Sequence, residues 1–223
     1  MRHLFKPKCL AGVAALFIGA ACADAHDFWV NADSLRPEPG QTVAVQIAGG
    51  HHFPQSELIL QGRLIREFTV TRHDGTTTPI ALNPAGKTHE SSLTIDTPGV
   101  YLLNLVIQRP QKKEPESLCR AILIPAGGDD QPGAYARNSS LEIVPGKALS
   151  QLASGDELPL ELRRDGKPMA TQFTVCAEKG KPQWIRSTAD APAVLQVKSG
   201  TKYLVTAIDG GQTVSLVFLA GSP

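Results

Sequence analysis

Short runs in which apolar and polar residues alternate make up most of this chain. Val43, Val45 and Ile47 occupy every second position of 41–47, the period of a strand with one buried face. Comparable runs at 64–71, 91–95, 100–108 and 118–125 predict further strands. Their punctuation is that of tight turns. His73-Asp74-Gly75 suits a hairpin, and Asp96-Thr97-Pro98-Gly99 leads into the Tyr-Leu-Leu run that follows. A second series follows at 140–144, 157–163, 171–177, 184–187, 193–197, 203–208 and 213–219, with an Arg164-Asp165-Gly166-Lys167-Pro168 turn inside it. Helical periodicity is nearly absent, and seventeen prolines and twenty glycines argue against a bundle. The expected fold class is all-β, with two β-sandwich units in tandem, immunoglobulin-like or transthyretin-like.

Between the two series, residues 126–138 (AGGDDQPGAYARN) lose apolar periodicity and collect Gly, Asp and Pro. This stretch reads as a linker between an N-terminal unit at 26–125 and a smaller C-terminal unit at 139–223. One elongated sandwich is the alternative.

The first 25 residues follow another pattern. Arg2, Lys6 and Lys8 form a basic start, residues 9–21 are almost wholly apolar, and Ala23-Asp24-Ala25 is an A-x-A site. That is the layout of a cleaved secretory signal peptide. The apolar run is shorter than the ~20 residues of a spanning helix. Gly19-Ala20-Ala21-Cys22 resembles a lipobox but has Gly where Leu is usual, which ranks simple cleavage above lipidation. The expected location is periplasmic, with a mature chain beginning at His26.

Cleavage removes three basic residues and one acidic residue, so the formal charge of +1 falls to about −1. Nucleic acid and anionic membranes call for a clustered basic excess, and Lys112-Lys113 alone does not supply one. Cys119 and Cys176 remain, and their Cα separation decides whether they form a disulfide. No G-x-S-x-G elbow, P-loop, dinucleotide glycine pattern or C-x-x-C occurs, so the chain is read as a non-enzyme.

The chemistry concentrates on histidines. A mature N-terminal His26 carries an α-amine and an imidazole that can chelate one ion together. These groups titrate near ~8 and ~6.5, so a metal displaces their protons at neutral pH at modest cost. A second imidazole completes a three-nitrogen histidine brace, suited to a divalent transition metal such as Ni, Co or Cu. His51 and His52 follow the 41–47 strand in Gly49-Gly50-His51-His52-Phe53-Pro54. Neighbouring side chains of a strand point to opposite faces, so one of the pair can face a given ion. The turn at 33–40 reverses the chain, bringing the segment after His26 antiparallel to 41–47 and its start beside His51. Glu57 can orient an imidazole from behind. His89 is a weaker candidate, and His73 belongs to a turn.

The Ala25-His26-Asp27-Phe28-Trp29-Val30 start, the Gly50-His51-His52-Phe53-Pro54 turn with Glu57, and Leu141-Glu142-Ile143-Val144-Pro145 together resemble a bacterial periplasmic family. So do Gly155-Asp156-Glu157-Leu158-Pro159 and Asp165-Gly166-Lys167-Pro168. That family is filed as a domain of unknown function and grouped with nickel- and cobalt-uptake components of the NikM/NikK type. The resemblance implies a metal-binding or accessory protein, with a membrane transporter component as partner. It points to His26 and His51 as ligands and leaves His52 in a variable slot. Two rival readings stay open: a copper-dependent oxidative enzyme built on the same brace, and a structural or adhesion module in which the histidines are incidental.

Overall fold

The computed structural model describes residues 27–113, 116–137 and 139–222. The expected signal peptide and His26 lie outside them. Among the described residues sixteen strands, β1 to β16 in chain order, form three sheets, and none of these residues is in an α-helix. The chain is all-β. Among the described residues no helix is long and apolar enough to cross a membrane.

The first sheet runs β1 (Asp27–Ala32), β2 (Thr42–Gly50), β6 (Thr88–Thr94), β5 (Asn83–Ala85). The central sheet has eight strands. Its order is β13 (Gln183–Ser187), β12 (Thr171–Ala177), β15 (Thr201–Asp209), β16 (Gln212–Ala220), β8 (Ser117–Leu123), β7 (Tyr101–Ile107), β3 (Ile65–Thr71), β4 (Thr77–Pro79). In the third sheet β10 (Glu157–Arg164) pairs with β9 (Leu141–Pro145), β14 (Ala193–Gln196) and β11 (Lys167–Met169). Asp165 and Gly166, at φ of 49° and 78°, make the tight β10–β11 turn that an Asp-Gly pair accommodates.

Two hydrophobic cores fill the spaces between the sheets. One lies between the first sheet and the central sheet and includes Trp29, Val45, Tyr101, Leu103 and Leu105. The other lies between the central and third sheets, around Leu102, Ile122, Leu160, Phe173 and Phe218. Strands β7 and β8 feed both, one core from each face. That explains why Tyr101–Ile107 reads YLLNLVI, almost continuously apolar, rather than alternating.

The units are not beads on a string. β16 pairs in parallel with β8, so one sheet runs through both. The stretch expected as a linker is also partly core: Tyr135 and Asp130 are buried, and the Tyr135 hydroxyl donates to Asp130 Oδ2 at 2.8 Å. Asp130 in turn accepts from the Ser150 backbone N–H and hydroxyl, each at 2.7 Å. Its lack of periodicity reflects one large anchor held by hydrogen bonds, not a solvated tether.

Candidate metal centre

β1 and β2 pair antiparallel in the register expected from the turn between them: Val30 faces Ile47, Phe28 faces Gly49 and Asp27 faces Gly50. The first described residue therefore sits across from the residue just before His51. The two glycines are needed there. A Cβ on Gly49 would come within 2.6 Å of the Phe28 ring, which lies across it. Gly50, at φ +147°, lets the Glu57 side chain approach, and a Cβ would fall 2.5 Å from Glu57 Oε2.

Strand β2 ends at Gly50, so His51 and His52 lie in a turn. The strand alternation expected for the pair does not govern them. The turn folds back on its own strand. The Glu57 and Leu58 N–H groups donate to the Gly49 carbonyl at 2.8 and 3.2 Å, and Ser56 Oγ accepts from the Gly49 N–H at 3.1 Å. The Ser56 hydroxyl also reaches the Lys87 carbonyl at 2.7 Å, tying the turn to the start of β6. Phe53, preceding a cis proline, packs edge-on against Trp29 with ring centroids 5.7 Å apart.

Glu57 grips both histidines. Its Oε2 accepts from the His51 backbone N–H at 2.6 Å, and its Oε1 accepts from His52 Nδ1 at 2.5 Å. These two contacts, the backbone one first, hold the carboxyl below its ordinary 4.5. A carboxylate only accepts, so His52 Nδ1 is the donor in this contact. This is the arrangement in which a carboxylate prepares an imidazole to bind a metal. Glu57 thus contacts the ring of His52 and the backbone N–H of His51. The His52 side chain is 78% exposed.

Sequence reasoning missed Asp27. Burial pushes its carboxyl above the ordinary range, and the nearby His51 ring pulls it part of the way back. The available signal was its place one residue after His26 and two before Trp29, whose side chain is fully buried. Asp27 also faces the two thiols. Burial, with a smaller contribution from Asp27, raises Cys119 to about 12 and raises Cys176 as well. Both cysteines are free. They sit on β8 and β12 with β16 and β15 between them. Three strand spacings make roughly 14 Å, twice what a disulfide spans. Burial favours the neutral thiol at both positions.

His89 lies in β6 opposite Ile47 and is 5% exposed. Its Nε2 donates to the Leu60 carbonyl at 2.6 Å, so that nitrogen is occupied in holding the 51–60 segment down. The His73 ring lies against Gly99 in the turn before β7. Among the described residues no group of three or more His, Cys, Asp or Glu could hold an ion. A complete set requires a further donor beside the His51–His52 turn.

Among solved structures, the chain is similar to Salmonella alpha-2-macroglobulin reacted with methylamine, at 10% identity and a TM-score of 0.33. The match covers 87% of this chain and 15% of the macroglobulin. It is also similar to the D0-D1 domain of intimin (12% identity, TM-score 0.28, 89% and 100% covered). A third is a two-domain fibronectin type-III segment of chicken tenascin (10% identity, TM-score 0.26, 87% and 98% covered). No curated protein matches. One family profile does, over residues 23–207, and by that match this chain belongs to the domain-of-unknown-function family DUF4198.

Proposed function

We propose that this protein is exported, is trimmed to begin at His26, and binds one divalent Ni, Co or Cu ion. The α-amine and imidazole of His26 supply two nitrogens, and the His51–His52 turn supplies a third. The observation that carries this reading is the register of β1 on β2, with Asp27 across from Gly50. His26 directly precedes Asp27 and His51 directly follows Gly50 in the chain, and this adjacency supports the idea that the two share one ion. Glu57 adds support by presenting the His52 Nε2. We assign the protein to metal buffering or delivery for a membrane uptake component, the role that the resemblance to nickel- and cobalt-uptake proteins suggests.

The decisive comparison is calorimetric titration of nickel and copper into two forms, one starting at His26 and one retaining Ala25. The first should take up one equivalent. The second should bind nickel at least about a hundredfold more weakly, because Ala25 converts the His26 amine into an amide that keeps its proton against nickel at neutral pH. Equal affinities would remove the amine from the site. For the native form, affinity should fall as pH drops from ~8 to ~6, since the amine and imidazole protons must leave before the ion binds.

Glu57→Gln tests the orienting group separately. It should weaken metal binding by about 10- to 100-fold without displacing a ligand. The depressed Glu57 carboxyl also sets a pH window for the turn itself. The contacts to His51 and His52 are complete above 4.5 and are lost only as pH falls through the lower, folded value. Imidazole NMR signals of His52 should therefore lose their dependence on Glu57 below that window and not above it.

A further inference from the structure

A half-open cleft of about 390 Å³ lies on the face of the central sheet away from β1 and β2. One side is formed by Glu67, Thr69 and Thr71 of β3, the other by Arg137, Ser139, Ser140 and the start of β9. Its floor is apolar, with Val106, Leu118, Leu141, Val214 and Leu216. The volume falls within the ~300–1,000 Å³ of small-molecule sites, and the lining has their usual makeup of an apolar floor with a few polar groups.

The two arginines of the cleft differ. Arg120 is fully engaged: Nε donates to Asn104 Oδ1 at 2.9 Å, Nη1 to the Tyr135 carbonyl and Glu142 Oε2 at 3.0 Å, and Nη2 to Ser139 Oγ at 3.1 Å. Arg137 has only long contacts of 3.4 Å from its terminal nitrogens to the Ala136 and Arg72 carbonyls. Its Nε is buried without a hydrogen-bond partner among the described residues. A guanidinium carries five donors suited to a carboxylate, so this one has capacity left for a ligand. The contact with Arg72 puts Arg137 near the Thr71 end of β3. Glu67 lies four residues away along that strand, roughly 13 Å at ~3.3 Å per residue, while the Glu142 carboxylate at the Arg137 end is paired with Arg120.

We propose that this cleft binds a small monocarboxylate with an apolar body, its carboxylate on Arg137 and its body on the Leu118–Leu216 floor. Glu67 at the far end disfavours a second carboxylate. The site is on the opposite face of the sheet from the metal turn and does not depend on it.

Ligand-observed NMR on the mature protein tests this with phenylacetate and hexanoate against phenylacetamide and hexanamide. Each acid should bind at least about tenfold more tightly than its amide, the difference expected when one charge-assisted pair is lost. Arg137→Gln should abolish that preference. If the acids and amides bind alike, if none binds, or if Arg137→Gln keeps the preference, the proposal is overturned. Should Arg137→Gln fail to fold, Ser140→Trp at the exposed mouth decides. It fills the cleft and must eliminate acid binding, and retained binding overturns the proposal equally.

Discussion

Replacing Glu142 with alanine should lower the unfolding free energy by about 3–5 kcal/mol. Glu142 on β9 and Arg120 on β8 form an ion pair at 3.0 Å, with side chains only 2% and 12% exposed. Burial already works against the Arg120 charge, and Glu142 is the partner that counters it. Removing the carboxylate leaves the guanidinium in the interior with neutral acceptors only, and the Arg137 backbone N–H loses its acceptor as well. The pair joins the third sheet to the central one, so the loss should be felt across both units. Urea unfolding would show the midpoint falling. Because desolvating both ions is itself costly, an Arg120→Met, Glu142→Leu double variant should recover most of the loss. A single-variant loss below about 1 kcal/mol would mean the pair is far more solvated than its burial indicates.

Trp29→Ala should cost a comparable amount, about 3–5 kcal/mol, and should also weaken the metal binding proposed for the His51–His52 turn. The ring is fully buried in the first core and meets Phe53 edge-on at 75°. Phe53 belongs to the same turn as His51 and His52, so the indole steadies that turn from beneath. Alanine leaves a cavity there, and the imidazoles lose their fixed placement relative to β1. Trp29→Phe separates the two effects. It keeps most of the ring and removes an indole N–H that is buried without a partner among the described residues, so it should cost much less and leave metal affinity near that of the parent. Equal metal affinity in the alanine and phenylalanine variants would show that the turn holds its shape without β1.

The strand positions were legible because a half-buried strand writes itself as a two-residue period. Val43, Val45 and Ile47 are buried and their neighbours more open, as the alternation requires. The Asp165-Gly166 turn was legible because few residue pairs accept two positive φ values in succession. The His51–His52 turn was legible as a cluster of chemistry, and the antiparallel arrival of β1 beside it followed from the length of the turn between β1 and β2. Short strands such as β4, β5 and β11, three residues each, carry too few positions for a period and were not visible.

Which histidine Glu57 would hold was not legible. It depends on Gly49 and Gly50 letting residues 55–58 fold back onto their own strand, a close approach that no spacing rule contains. The free state of Cys119 and Cys176 likewise depends on how many strands come between them. So does the union of the two units, which rests on the parallel meeting of β8 and β16, about a hundred residues apart in the chain. The amino-acid sequence alone determined the all-β class and most of the strands, and it marked the histidines proposed as metal donors, because periodicity, turn chemistry and donor type are local properties. Tertiary structure decided the shared central sheet, the carboxylate-to-imidazole pairing and the Arg137 cleft. Each of these arises from contacts between segments far apart in the chain, where the free energy of burial and not local preference selects the neighbour.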